Sequence, residues 1–271
     1  MLSLSRSLPR TIILSVSSYE EIRVGNSTVE LLRLDGDENR PTVLMLHEGL
    51  GCVELWRDFP HRLNQQCSLP VVAYSRCGYG ASAPISLPRP LDYMRVEAQN
   101  FLPELLTALK ISKPIVLGHS DGATIALEFA AAFPSHLAAL VILAPHIFVE
   151  DCSINAIRAA DHEYQHGQLR EKLQRYHHNN VDNAFRGWCD SWLHPAFKKW
   201  NMEEVLEHIE VPILQIQGLA DEYGSDAHVR SIEQYAHTQV ETVLFENCGH
   251  APHFERKLET MAAISDFLAR I

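Results

Sequence analysis

Residues 115–123 constrain the fold of this chain more than any other segment. An apolar run at 115–117 leads into Gly-His-Ser-Asp-Gly at 118–122, and an alanine-rich run that predicts a helix follows it. A strand, a sharp turn and a helix in this order form the context in which Gly-x-Ser-x-Gly carries a nucleophile. Such a turn strains the serine backbone and needs flanking positions almost free of side chain. We therefore expect Ser120 to present its hydroxyl at a helix N-terminus, where N–H groups and the helix dipole stabilise an oxyanion.

A serine hydroxyl needs a general base, and the base needs an acid that orients it. His250 follows a glycine just after a predicted strand at 242–245, and Asp221 follows a predicted strand at 211–217. Catalytic groups of open α/β sheets gather beyond such strand ends. His250 is therefore the predicted base and Asp221 the predicted acid. The alternatives are His253 for the base, which we expect to pack instead, and three carboxylates for the acid: Glu222, Glu150 and Asp151.

Taken together, these motifs resemble the α/β-hydrolase superfamily, whose chain order is also Ser, Asp, His. The resemblance extends over nearly the whole chain, through an oxyanion loop at 47–51, a Gly-Tyr-Gly turn at 78–80, the serine turn and the loops of the acid and the histidine. Several motifs in register are far more specific than one. Within the superfamily the chain is most similar to small, cap-bearing esterase-like members whose turn reads Ser-Asp-Gly. The resemblance implies Ser120, Asp221 and His250 as a catalytic triad.

The predicted oxyanion hole has two backbone donors. One is the N–H of Asp121, directly after the nucleophile. By resemblance the other is Gly49, but Glu48 stands where relatives commonly carry glycine, so the second donor is either Gly49 or Glu48. We expect the Glu48 side chain to turn away from the hole and to accept hydrogen bonds from nearby backbone, Arg57 or Arg76. The alternative is a carboxylate that positions water or meets the substrate.

The order of the remaining segments predicts an α/β fold. Residues 19–24 and 28–34 alternate polar and apolar residues around a turn, which is typical of an antiparallel hairpin. Further strands are predicted near 42–47, 70–74, 114–118, 139–143, 211–217 and 242–245, with helical stretches between them, notably at 93–110. Strands that alternate with helices imply βαβ units around a parallel sheet. The resemblance implies eight strands, mostly parallel.

One interval breaks this alternation. Residues 147–208 contain no strand-like run but three helical pieces at 153–165, 168–177 and 183–192. By resemblance they form a cap inserted after the sixth strand, so that the core comprises 1–146 and 209–271. Three tryptophans of this interval either pack it onto the core or help to form an apolar acyl pocket. The side chains expected at that pocket are Glu48, Trp56, Tyr79, His119, Phe148, Trp188 and Trp192.

The amino-acid composition limits the classes of partner and cofactor that we expect for this chain. A formal net charge of −11 argues against nucleic acid or anionic membrane, since both need clustered Lys and Arg. No apolar run approaches the roughly 18 residues of a spanning helix. Six scattered cysteines predict reduced thiols, and no histidine spacing suits zinc, so we expect no metal and no cofactor. The Ser- and Arg-rich stretch at 1–10 lacks an apolar core, which favours a cytoplasmic protein over one with a transit peptide. A homodimer stays open.

The function predicted from these features is hydrolysis of a small to medium carboxylic ester through an acyl-enzyme. The same triad serves thioesterases, lactonases and carbon–carbon bond hydrolases, which remain alternatives. An alternative of another class is a receptor or binding module, because this fold also occurs in proteins without catalysis.

Overall fold

Short apolar segments form one eight-stranded sheet in the computed structural model, which describes residues 18–271. The strands are β1 (Ser18–Val24), β2 (Ser27–Leu34), β3 (Val43–Leu46), β4 (Val71–Tyr74), β5 (Ile115–His119), β6 (Ala139–Leu143), β7 (Ile213–Gly218) and β8 (Val240–Phe245). Their order is β1-β2-β4-β3-β5-β6-β7-β8. The β1–β2 hairpin is antiparallel and joins β4 antiparallel, and all other pairs are parallel. The mostly parallel eight-stranded α/β fold predicted from the sequence is confirmed. Residues 1–10 lie outside the described part of the chain.

The inner strands are buried on both faces, as parallel strands between helices must be. Every residue of β3, β4, β5, β6 and β7 is buried, whereas the edge strand β8 is only half-buried. Alternate side chains of one strand enter different cores. In β3, for example, Leu44 and Leu46 belong to the core under one layer of helices, and Val43 and Met45 belong to the core on the other side. The sheet is therefore fixed from both faces.

Ten α-helices flank the sheet or follow its strands within residues 18–271. They are α1 (Phe59–Cys67), α2 (Tyr93–Val96), α3 (Leu102–Leu109), α4 (Asp121–Ala132), α5 (Asp151–His166), α6 (Leu169–His177), α7 (Val181–Trp192), α8 (Ala227–Tyr235), α9 (Pro252–Glu255) and α10 (Lys257–Leu268). None of the helices in this described part of the chain is long and apolar enough to cross a membrane.

The single helix predicted at 93–110 is interrupted. A π-helical turn, Glu97–Phe101, separates α2 from α3. Pro103 stands in the first turn of α3, and proline has no N–H to donate to the carbonyl four residues earlier. The wider turn accommodates the lost hydrogen bond while the apolar face continues into the core.

Between β6 and β7 the chain forms α5, α6 and α7. The only strand-like pairing inside 147–208 of the described chain is one antiparallel bridge between Phe148 and Asn201. Trp192 contacts Phe197 and Trp200 edge-on, and the last two rings stack on each other. Two of the three tryptophans of this interval, Trp192 and Trp200, thus share one aromatic cluster.

Candidate active site

Ser120 lies on a strained turn between β5 and α4. Its backbone has φ 53° and ψ −120°, which few non-glycine residues adopt. The two flanking glycines approach backbone closely: a Cβ on Gly118 would collide with the carbonyl of Gly122, and a Cβ on Gly122 would collide with that of Leu46. Both positions therefore require glycine, and the turn lifts the serine out of the sheet as the sequence predicts.

Ser120, His250 and Asp221 form one hydrogen-bonded line. The Ser120 Oγ hydroxyl lies 2.9 Å from His250 Nε2, and His250 Nδ1 lies 2.8 Å from Asp221 Oδ2. A carboxylate only accepts, so Nδ1 carries the proton and Nε2 accepts from the serine. The Asp221 side chain is 1% exposed and that of His250 16%, so the acid is sealed from solvent and the base faces the cavity.

The neighbours of Asp221 keep it ionised and in place. Its carboxylate accepts hydrogen bonds from the Tyr223 N–H (2.8 Å) and from Gln217 Nε2 (2.9 Å). Burial would raise the pKa of Asp221, but the hydrogen bond from His250 and these two donors outweigh it and lower the pKa below its usual value. The His250 loop is held in a similar way, because Glu255 accepts from the N–H groups of Gly249 and Ala251.

The alternative acids and the alternative base have other contacts. Glu150 Oε2 lies 3.0 Å from His228 Nε2, and Asp151 is an exposed partner of Lys198. His253 is 1% exposed and packs against the rings of Trp56 and Phe59. Of these residues, none lies in the hydrogen-bonded line to Ser120.

The two predicted oxyanion donors are free to bind a ligand. In residues 18–271, neither the Asp121 N–H nor the Gly49 N–H donates to a protein acceptor. Asp121 is the first residue of α4, so its N–H also points out of the positive end of that helix. Gly49 lines the same cavity as Ser120.

The Glu48 side chain lies beside this hole with an unexpected partner. Its Oε2 is 3.5 Å from His119 Nδ1, and neither Arg57 nor Arg76 pairs with the carboxylate. His119 Nε2 donates to the carbonyl oxygen of His250 at 2.8 Å, so the His119 ring lies between Glu48 and the loop of the base. Burial would raise the pKa of Glu48, but the His119 imidazole outweighs it and holds that pKa below its usual range.

A cavity of about 130 Å³ opens above Ser120. Of the seven side chains expected at the pocket, Glu48, Trp188 and Trp192 line it. The other lining residues, apart from Gly49, Ser120 and His250, are Leu50, His146, Ser153, Ile157 and Tyr223. Sequence reasoning missed these five. The carboxyl ends of β6 and β7, which His146 and Tyr223 follow, were the available signal.

The remaining four expected pocket residues do not line this cavity. Trp56 stacks on Phe59 beneath it, and His119 lies behind Glu48. Tyr79 is fully buried, with the guanidinium of Arg76 over its ring. Phe148 packs on the ring of His228. The predicted pocket role of these four side chains is therefore wrong for this cavity, because each packs against other side chains instead.

No group of three or more His, Cys, Asp and Glu side chains within residues 18–271 is arranged to hold a metal ion. The cysteines, which all fall inside this range, are unpaired.

Known proteins that are similar to this chain show its family. The sequence profile described as alpha/beta hydrolase fold matches residues 41–205, more than half of the chain. The protein named serine hydrolase BPHL from Homo sapiens is 34% identical over 50% of this chain and 46% of its own length, so the match spans less than half of that protein. A proline iminopeptidase from Heyndrickxia coagulans is 23% identical over 92% of this chain and 98% of its own length.

Among solved structures, the naproxen esterase of Bacillus subtilis superposes with a TM-score of 0.71 at 17% identity, over 94% of this chain and 92% of that chain. At this identity the likeness is one of fold. The profile match covers the oxyanion loop and the serine turn, and the fold places the acid and the histidine beside them. The chain belongs to the alpha/beta hydrolase fold family.

Proposed function

We propose that this chain is a serine hydrolase that cleaves a small to medium carboxylic ester through an acyl-enzyme intermediate. The observation that carries the proposal is the continuous line from Ser120 through His250 to Asp221, with donor distances of 2.9 and 2.8 Å. Membership of the alpha/beta hydrolase fold family supports hydrolase activity.

The geometry suits nucleophilic catalysis. His250 Nε2 takes the hydroxyl proton as Ser120 Oγ attacks the acyl carbonyl, and Asp221 stabilises the imidazolium that forms. The negative charge on the carbonyl oxygen is met by the N–H groups of Asp121 and Gly49. Collapse of this intermediate expels the alcohol, which receives the proton from His250. Water, activated by the same imidazole, then hydrolyses the acyl-enzyme and restores Ser120.

The cavity supports an apolar acyl or alcohol group of modest size. Its volume is about 130 Å³, and Ile157, Trp188 and Trp192 supply much of its wall. Such a wall offers dispersion and burial of apolar surface to the substrate. Thioesters, lactones and activated carbon–carbon bonds present a similar carbonyl to the same serine, and they remain alternatives. A receptor without catalysis is less well supported, because all three triad positions are filled and connected.

Pre-steady-state hydrolysis of p-nitrophenyl acetate tests the proposal. The wild type should release a burst of p-nitrophenol close to one equivalent per enzyme, because acylation precedes slower hydrolysis. Ser120→Ala and His250→Ala should each lose the burst and lower kcat by on the order of 10³-fold or more. Ser135→Ala and His136→Ala are matched controls at exposed positions. Retention of more than about a tenth of the wild-type rate by folded Ser120→Ala would contradict the serine mechanism.

A further inference from the structure

The carbonyl oxygen of Glu48 is an unusually crowded acceptor. It accepts from Arg76 Nη2 at 2.9 Å, from the Gly51 N–H at 3.1 Å, and it lies 2.7 Å from His47 Nδ1. The Arg76 side chain and the His47 ring therefore meet at one peptide group, the one that joins Glu48 to Gly49.

The His47 ring is held in the tautomer that donates to this carbonyl. Its Nε2 accepts the backbone N–H of Arg76 at 3.0 Å, which leaves the ring proton on Nδ1. Burial, and then the charge of Arg76, hold the pKa of His47 well below its usual value, so the ring is neutral. His47 Nδ1–H is thus a donor to the Glu48 carbonyl, as Arg76 is.

A carbonyl held on one side directs the N–H of the same peptide to the other side. In a planar trans peptide the C=O and N–H bonds point in opposite directions. The Glu48 carbonyl points toward Arg76 and His47, so the Gly49 N–H points away from them. Gly49 lines the Ser120 cavity, and its N–H has no acceptor in the described residues. This orientation favours Gly49 over Glu48 as the second donor.

Sheet topology explains why Arg76 reaches this peptide. β3 and β4 are parallel neighbours, with Leu46 paired to Tyr74 at their carboxyl ends. Glu48 and Arg76 each stand two residues beyond those paired positions. The loops that follow β3 and β4 therefore start side by side, at the carboxyl ends of these two strands.

We propose that Arg76 is a positioning residue for the oxyanion hole: its guanidinium holds the Glu48–Gly49 peptide so that the Gly49 N–H faces the acyl oxygen bound at Ser120. The proposal rests on the proposed ester hydrolysis. Arg76 does not touch the substrate carbonyl, and it acts through one peptide group. Its charge also polarises that peptide, which strengthens the N–H at the other end as a donor.

Burial makes this contact costly to lose. Arg76 is 2% exposed, and a guanidinium is charged at every ordinary pH. A buried cation persists only where acceptors compensate its desolvation, and the Glu48 carbonyl is one of them. The neighbouring Arg89 provides a comparison, since its guanidinium also packs on the Tyr79 ring but donates to Tyr79 and Cys77 rather than to Glu48.

The test compares Arg76→Gln and Arg76→Lys with the matched control Arg89→Gln. Three quantities are measured for each protein: kcat per competent site, counted by complete labelling with a fluorophosphonate; KM for p-nitrophenyl acetate; and the inhibition constant of phenylboronic acid, whose serine adduct is tetrahedral. Loss of one oxyanion donor costs about 10²- to 10³-fold in kcat, so Arg76→Gln should lose on the order of 10²-fold. Phenylboronic acid should bind more weakly in parallel, while KM changes less than about threefold. Arg76→Lys should fall between Arg76→Gln and wild type, and Arg89→Gln should match wild type.

Arg76→Gln removes a buried charge, so a second variant, His47→Gln, leaves that charge in place. The glutamine amide replaces the Nε2 acceptor of the ring, and the Nδ1 donor is lost. His47→Gln should lower kcat by a smaller factor than Arg76→Gln does, and it should likewise leave KM nearly unchanged. The proposal is overturned if folded Arg76→Gln keeps a kcat per competent site within about fivefold of wild type. It is also overturned if folded His47→Gln and folded Arg76→Lys both stay within that range. A wild-type enzyme that does not hydrolyse p-nitrophenyl acetate, or whose rate survives Ser120→Ala, overturns the proposed function itself, and that result is recognisable before Arg76 is changed.

Discussion

At the scale of single residues, Asp221 decides which nitrogen of His250 carries the proton. The carboxylate is 2.8 Å from Nδ1 and is fixed by Gln217 and by the backbone of Tyr223. Only with the proton on Nδ1 is Nε2 free to accept from Ser120. An amide at position 221 would offer a donor to Nδ1 and so favour the wrong tautomer.

Asp221→Asn should therefore lower kcat by roughly 10³- to 10⁴-fold while the fold is retained. Glu222→Gln and Asp151→Asn should stay within about tenfold of wild type, because these side chains lie outside the hydrogen-bonded line. Steady-state kinetics on p-nitrophenyl acetate checks the series. If Glu150→Gln or Asp151→Asn were the damaging change, the acid would follow β6 and this assignment would be wrong.

Glu48 tests whether a carboxylate beside the oxyanion hole is structural. Its contact with His119, which in turn donates to the His250 carbonyl, favours a role in ordering the two loops. Glu48→Gln should lower Tm and change kcat by less than about tenfold, with the exposed Glu54→Gln as control. A kcat loss of about 100-fold or more, the scale of general acid–base help, would instead mean that Glu48 takes part in the reaction.

Local sequence patterns located the three residues of the hydrogen-bonded line better than they located the residues that line the pocket. Ser120, Asp221 and His250 each stand at a motif or strand end, and their chain order resembles that of a known superfamily, so the sequence could mark them as candidates. Pocket walls depend on where distant helices pack, and no short motif encodes that. Trp56 follows the recognisable oxyanion loop and Trp188 lies inside α7, yet only Trp188 lines the cavity. His119 as the partner of Glu48 was also outside the reach of local reasoning, since the pairing joins two different strands.

At the scale of elements, Glu150 links the start of α5 to the loop before α8. Its carboxylate lies 3.0 Å from His228 Nε2 and accepts hydrogen bonds from the backbone N–H and the hydroxyl of Ser225, each at 2.8 Å. The hydrogen bond from His228 is the largest cause that lowers the pKa of Glu150 to about 2. A carboxyl whose pKa is depressed in the folded state stabilises the protein above its unfolded pKa. That contribution is lost as the pH falls toward the folded value.

Glu150→Gln should therefore lower Tm at neutral pH, and the difference from wild type should shrink as the pH falls from about 5 toward 2. Differential scanning calorimetry across this range checks the trend. The neighbouring Asp151, whose side chain is 85% exposed, provides the control Asp151→Asn, with little effect at any pH. A difference that stays constant down to pH 2 would contradict a linkage through Glu150.

We propose that 147–208 acts as the cap expected from the resemblance, with Trp188 as its main contact to the oxyanion loop. A Cβ on Gly49 would collide with the Trp188 ring, so the two are in close contact. Trp188→Ala should enlarge the cavity and raise the kcat/KM of p-nitrophenyl butyrate relative to the acetate. Trp200→Ala, in the same segment but away from the cavity, should leave that ratio unchanged. An unchanged ratio in Trp188→Ala would show that this ring does not limit acyl length.

Element types followed from the sequence, and so did most strand ends. Hydrophobic patterns located every strand, and β1 to β6 begin and end within one residue of expectation, whereas β7 and β8 each begin two residues away from it. The stretch at 93–110 is helical as expected, but its interior contains the π-helical turn Glu97–Phe101. Hydrophobic periodicity indicates which face of a helix is apolar. It does not show where a π-helical turn adds one residue to that helix.

At the scale of the whole molecule, the groups that the proposed chemistry needs lie together at the carboxyl ends of the parallel strands. Gly49, Arg76, Ser120, Asp221 and His250 follow the carboxyl ends of β3, β4, β5, β7 and β8 in that order. Parallel strands place these ends side by side, so residues far apart in sequence meet within hydrogen-bond distance. The same topology hides the pairing from the sequence, because strand order differs from chain order.

The most direct test of the central claim is labelling with a fluorophosphonate, followed by mass spectrometry of the tryptic peptides. The account predicts one phosphonyl adduct per chain, located on Ser120, and no adduct in Ser120→Ala or in heat-denatured wild type. Labelling should also slow sharply in His250→Ala, because the hydroxyl loses its base. An adduct on another residue, or equal labelling of wild type and Ser120→Ala, would contradict the account.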